Sequence, residues 1–217
     1  MKKSILFLLL IAFVMTSCAG LSSRPKARSA SDLGQNQTII VGKIVFDPPL
    51  TPESQDLNFG YDAFRYQIYM ICGTKLREIV NEAALPGSGD LNGSIEAVQD
   101  ETFYTINRNV PIYMIAGIFY KGIYVQSCGY QCTRVLYDPV GLPASFYIDI
   151  KPADKAVYIG TIKYTRDNFW NVTRIQILDE YDKELPAFRI KFKGIKLTKA
   201  LIREPGKDAV LKIGSPY

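Results

Sequence analysis

The sequence predicts a mainly β protein, an antiparallel sandwich or alternatively a barrel, with one or two short helices. Three observations carry this. From Thr38 onward the chain consists of short runs rich in Ile, Val, Tyr and Phe, broken by Gly, Pro, Asn and Asp. Several runs alternate apolar and polar residues with period two, the pattern of a strand with one wet face. No segment after residue 37 sustains the helical period for three turns. With 47% hydrophobic residues the 217-residue chain has the material for a core, and residues 38–217 are expected to form a single β-rich domain.

Taken in order, Thr38 to Phe46 is the first predicted strand and ends at Asp47-Pro48-Pro49. Phe64, Tyr66, Ile68, Met70 and Cys72 share one face of a second, and Val110 to Ile118 and Gly122 to Cys128 are two more. Phe146, Ile148 and Ile150 oppose Tyr147, Asp149 and Lys151. Val157 to Tyr164 and Val172 to Leu178 flank the turn-rich Arg166-Asp167-Asn168. Phe188, Ile190 and Phe192 alternate with Arg189, Lys191 and Lys193, which reads as a final strand. Leu76 to Ala84 and Leu197 to Arg203 can each form two helical turns, the second stopped at Pro205-Gly206. The run Val41-Gly42-Lys43-Ile44 ahead of a proline turn resembles the opening strand of transthyretin-like and carboxypeptidase-regulatory-like sandwich domains. That resemblance implies a module that binds, supports or spaces others, with no shared activity.

The N-terminus has a different texture. Lys2 and Lys3 precede eleven unbroken apolar residues, Ile5 to Met15. As a helix these span roughly 16 Å, about half a bilayer's hydrocarbon thickness, so they suit a secretory signal better than a membrane span. Met15-Thr16-Ser17-Cys18-Ala19 resembles the lipobox of bacterial lipoproteins, with Met15 where leucine is commoner. The resemblance implies cleavage before Cys18, a diacylglycerol and fatty-acid (palmitate-type) anchor on its thiol, and a place in the cell envelope. Ala19 after the cysteine resembles the outer-membrane sorting pattern of diderm lipoproteins. Residues 1–17 are then the signal peptide. The lipidated Cys18 with the Ser-, Arg- and Lys-rich stretch to residue 37 is expected to be a flexible tether.

Composition removes several chemistries. The chain has no histidine, which excludes Ser-His-Asp and Cys-His nucleophiles and any histidine-ligated metal. The formal charge of +5 falls to +3 once Lys2 and Lys3 leave with the signal segment, too little to argue for nucleic acid. Ser23-Arg24-Pro25-Lys26 has the S-x-x-K spacing of penicillin-binding enzymes, but Pro25 disfavours the helix that would bring the amine to the hydroxyl. Asp90, Asn92 and Glu96 around a glycine-rich stretch supply too few carboxylates for a calcium loop, and 86–94 is expected to be a surface loop. Asp179, Glu180, Asp182 and Glu184 surround a predicted turn as solvated charges.

Three constellations remain. Cys128 and Cys132 become cross-strand neighbours, within disulfide reach, if Gly129-Tyr130-Gln131 is a hairpin loop. Pairing of either with Cys72, or three free thiols, stays open, although Cys72 lies on an apolar face and reads as a buried thiol. Arg189, Lys191, Lys193 and Lys196 form a basic stripe that fits an anionic surface, or equally a solvated sheet face. Tyr147 and Tyr158, with Trp170 at a strand start, would offer a stacking face for a glycan. The expectation is therefore a membrane-anchored envelope module that binds or supports, without catalytic residues, metal or cofactor. Its partners would be the membrane, through the lipid, and an envelope protein or glycan. The alternative is a glycan-binding protein or an envelope hydrolase with two convergent carboxylates, about 5 to 9.5 Å apart in a cleft.

Overall fold

The computed structural model describes residues 23–50, 67–73, 91–127 and 133–202. Among these lie nine strands: β1 (Gln37–Asp47), β2 (Gln67–Gly73), β3 (Leu91–Val98), β4 (Thr102–Arg108), β5 (Ile112–Ser127), β6 (Thr133–Ile148), β7 (Ala156–Arg166), β8 (Val172–Leu178) and β9 (Leu197–Lys199). One α-helix, α1 (Tyr181–Lys191), lies between β8 and β9. The strands make two sheets, ordered β3-β2-β5-β6 and β4-β1-β7-β8, with β9 also on β7. Neither closes into a barrel, so the fold is a mainly β sandwich. Pairing is antiparallel except for β1 with β7 and β7 with β9, which are parallel.

β1 and β7 are buried on both faces, and this makes the sandwich three layers deep. Ile40, Ile44 and Phe46 point into the space between the sheets with Ile68, Met70, Cys72, Met114, Phe119, Phe146 and Ile148. Ile39, Val41 and Tyr158 point the other way, against Phe188 and Phe192 of the helix. A continuous apolar run such as Ile39-Ile40-Val41 is what a doubly covered strand requires. Gly42 makes room for side chains of the strands on either side of it in its own sheet: a Cβ there would lie 2.7 Å from Phe103 Cζ of β4 and 2.8 Å from Ile159 Cγ1 of β7.

Both sheets share one end, here called the lower. Gln37 of β1 pairs with Arg108 of β4, Ile39 with Ala156, and Ala156 with Leu197. In the other sheet Gly73 pairs with Tyr113, and Ile112 with Ile148. Residues 109–111 and 149–155 join the sheets at that end. The upper end carries residues 48–50, 99–101 and the β7–β8 turn at 167–171.

Several sequence expectations change. The strand predicted around Phe188–Lys193 is helical from Tyr181. Tyr181, Leu185, Phe188 and Phe192 repeat at helical spacing and pack on the sheet, whereas Ile190, which a strand would bury beside Phe188, is 75% exposed. Acidic Asp182 and Glu184 in the first turn and basic Arg189 and Lys191 in the last suit the helix dipole. Gly194, at φ +84°, turns the chain toward β9. The helical turns predicted from Leu197 are instead the parallel strand β9. The two strands predicted at 110–118 and 122–128 are one strand of 16 residues, with a register irregularity between Lys121 and Ile123. The loop predicted over 86–94 is strand from Leu91, with Ser94 buried. Leu76–Ala84 lies outside the described residues.

Candidate functional site

The segment expected to be a free tether is docked from Ser23 onward. Ser23 bridges in parallel to Ser94 of β3, the edge of one sheet, and Arg24 N–H donates to the Ser94 carbonyl at 2.8 Å. Lys26 then bridges antiparallel to Thr105 of β4, the edge of the other sheet. Ala27 N–H donates to Tyr104, and the Pro25 carbonyl accepts from Ile106, both at 2.8 Å. The strap thus covers one open side of the sandwich, where unpaired strand edges would otherwise meet solvent. Ala27 is buried among the helix-side residues, and Arg24 reaches Asn107. Ser23 Oγ and Lys26 both bond Glu96, which holds that carboxyl below the usual carboxylate range. Glu96, read beside a candidate calcium loop, is therefore a strap partner.

The acidic cluster is also structural. Thr161 Oγ1 donates to Glu180 at 2.7 Å and Thr102 Oγ1 to Glu184 at 2.8 Å. Thr102 and Thr161 flank Lys43 in register across β4, β1 and β7, so two glutamates one helical turn apart straddle a Thr-Lys-Thr row. Glu180 N–H also donates to the Tyr158 hydroxyl at 3.0 Å, and Lys183 pairs with the Glu180 carboxylate at 2.9 Å. The Thr161 bond, then Lys183, pull the Glu180 pKa down. Glu184 is buried rather than solvated. These carboxylates fasten the start of α1 to the sheet. Among the described residues no group of three acids or cysteines stands ready to hold a metal ion.

The stacking face proposed for a glycan is not assembled. Tyr158 is fully buried under α1, because β7 has no wet face, while Tyr147 is 43% exposed near the lower end and pairs with Tyr113 at 4.9 Å. Trp170 is at the upper end.

That upper end carries the most exposed aromatic residue of the described chain. Phe169 is 82% exposed at the tip of the β7–β8 turn. Asp167 builds the turn: its Oδ1 accepts from Phe169 N–H at 2.8 Å and Asn171 N–H at 2.9 Å, and its Oδ2 from Asn171 Nδ2 at 3.0 Å. Asp167 N–H returns a bond to the Asn171 carbonyl at 3.0 Å. These donors, led by the Asn171 side chain, keep Asp167 ionised below the usual range. Trp170 sits at φ +71°, a conformation a tryptophan rarely adopts and the turn holds in place. Its ring packs against Phe119 at 5.9 Å and under the Arg166 guanidinium at 4.2 Å. Arg166 in turn bonds the carbonyls of Pro48 and Pro49. The result is an apolar side chain held out on a rigid base. The turn residues 166–168 are legible in the sequence; the projection of Phe169 is not, because it follows from the Asp167 bonds.

Of the remaining sequence-derived residues, Arg189, Lys191, Lys193 and Lys196 are all exposed, on α1 and the connection to β9. Lys191 Nζ lies 4.1 Å from the Tyr104 ring centre. Cys72 is a free, fully buried thiol whose pKa burial pushes up to about 11. Cys18, Cys128 and Cys132 lie outside the described residues. The β5–β6 ladder runs to Ser127↔Thr133, one step short of the register position at which Cys128 and Cys132 would face each other. No protein-family model, no curated protein and no solved structure matches the chain.

Proposed function

We propose that the protein is a lipid-anchored module of the cell envelope that acts by binding, with the turn at 167–171 as its contact point. The carrying observation is Phe169, held 82% exposed by the hydrogen bonds of Asp167. A preordered aromatic side chain loses little entropy on binding, which is why such residues anchor interfaces. The signal-like N-terminus with Cys18 supports the anchor, Ala19 favours the outer membrane, and the strap then fixes the fold close to it. The glycan-binding or hydrolase alternative stands lower. Tyr147 and Tyr158 share no face, and Glu180 and Glu184 are each already engaged by a threonine hydroxyl under α1.

Two measurements test this reading. Cys18→Ala is expected to abolish fatty-acid labelling and leave uncut precursor; normal labelling refutes the anchor. A photoreactive residue at position 169 in the native envelope is expected to give a discrete adduct that the same residue at exposed Arg174 does not give. Equal adducts, or none, refute the contact point.

A further inference from the structure

The strap sets a direction as well as a distance. Ser23 runs parallel to β3, whose first residue, Leu91, pairs with Gly73 at the lower end. At Ser23 the chain therefore runs away from the lower end. Cys18 lies five positions before Ser23, and five residue steps span at most about 17 Å when fully extended. Strand β3 occupies three residues between Ser94 and the lower end, about 10 Å of that reach. A lipid on Cys18 would therefore hold the lower end within about 7 Å of the anchor point.

The same end gathers charge of one sign. Arg108 closes β4, Lys151 and Lys155 lie in the connection to β7, and Lys193 and Lys196 lie in the connection to β9. Lys155 and Lys196 are adjacent, since each precedes a residue of the Ala156↔Leu197 pair. All five cations are exposed, against Asp149 and Asp154 in the same connections. At the upper end no such excess of cations stands: Asp47, Asp100, Glu101 and Asp167 lie near Lys163, Arg166 and Arg174, and Lys163 is paired with Asp47 at 2.8 Å. The lower end also exposes Val110 and Tyr147, 47% and 43%. Tyrosine suits the boundary between hydrocarbon and headgroups, where one end of the ring is dry and the other wet.

We infer that the lower end of the sandwich rests on anionic lipid headgroups, with Arg108, Lys151, Lys155, Lys193 and Lys196 facing the membrane and Phe169 facing away. This rests on the lipid-anchor reading above. It deepens that reading by giving the domain one orientation. The attraction acts only over the screening length, about 8 Å at physiological salt, and the short reach of the strap keeps the cations within it.

Depth-resolved quenching of the lipidated full chain tests this. The chain is reconstituted in vesicles of phosphatidylethanolamine and phosphatidylglycerol that carry a headgroup nitroxide. Trp170, the sole tryptophan, reports the upper end. Trp170→Phe combined with Tyr147→Trp, and separately with Val110→Trp, reports the lower end at two exposed positions whose replacement leaves the core intact. The lower probes are expected to lose at least threefold more emission than Trp170. Replacing Lys151, Lys155, Lys193 and Lys196 together by glutamate is expected to bring that ratio toward one. Equal quenching at both ends, or stronger quenching of Trp170, overturns the orientation. Intact mass separates the two ideas. An acylated chain with equal quenching overturns the orientation alone, whereas a chain without acyl mass on Cys18 overturns the anchor and the orientation with it.

Discussion

Replacing Thr161 by valine isolates one of the bonds that hold α1 to the sheet. The two side chains are close in shape, and Thr161 is buried, so packing changes little. What is lost is the 2.7 Å donation to the Glu180 carboxylate, together with the hydroxyl's contact to Tyr158. A hydrogen bond to a charged group contributes about 1.5–3 kcal/mol, and Glu180 keeps Lys183 and some solvent, so the low end, about 1.5 kcal/mol, is expected at pH 7. The dependence on pH carries the sharper signature. Glu180's folded pKa is lowered from 4.5, chiefly by this bond, so its contribution is present above the unfolded value and is lost as pH falls through the folded one. Urea unfolding followed by far-ultraviolet dichroism should show wild type more stable than Thr161→Val at pH 7. The gap should close as pH drops below 4.5. A gap of the same size on both sides of that range would mean that packing, not the ionised carboxylate, fastens the helix.

Phe188→Ala empties a fully buried site beneath α1 and is expected to cost about 3–5 kcal/mol in the same unfolding assay. Gly42→Ala forces a Cβ within 2.8 Å of both Phe103 and Ile159 and should destabilise by about 1–3 kcal/mol, read as a lower urea midpoint. Cys72, with its pKa raised to about 11 and no exposure, should resist a thiol reagent at pH 8 until denaturant is added. Non-reducing peptide mapping is expected to find Cys128 linked to Cys132, as the Ser127↔Thr133 register favours, and a peptide joining Cys72 to either would refute it.

How much of this was legible depends on how many layers cover each strand. β2 and the end of β6 have one dry face, and there the alternation of Ile68, Met70 and Cys72, and of Phe146 and Ile148, predicted burial correctly. β7 has two dry faces, so Tyr158 looked outward by alternation although α1 covers it. The helix itself was obscured because Phe188 and Phe192 fit both periods, and Pro186 argues locally against a helix. Ile190 distinguishes the two by its exposure, which the sequence does not contain, and Tyr181 and Leu185 by their helical spacing from Phe188, which it does. The strap was illegible for another reason. Its backbone hydrogen bonds, donated by Arg24 and Ala27 and accepted by the Pro25 carbonyl, and its polar side-chain contacts to Glu96 and Asn107 leave no hydrophobic period to read.

The two open sides of the sandwich are protected by different means, and the difference bears on orientation. On the side of β6, an edge strand in its sheet, Pro139 and Pro143 lie within the strand and offer no N–H to an incoming chain. Edge pairing along β6 is discouraged by sequence alone, whereas β8, the other edge on that side, carries no proline. On the side of β3 and β4 no proline interrupts either strand, and the strap occupies their edges instead. That protection exists only while residues 23–27 stay docked. Pulling the strap away would expose both edges together and release the Ala27 contact and the Arg24–Asn107 bond. On the anchor proposed above, a lipid at Cys18 would pull on this segment if the domain lifted from the membrane, and lifting would work against the strap's three backbone bonds as well as against the cations below. Under that proposal anchor, strap and charged end would oppose the same displacement, with the turn at Phe169 at the opposite end of the molecule.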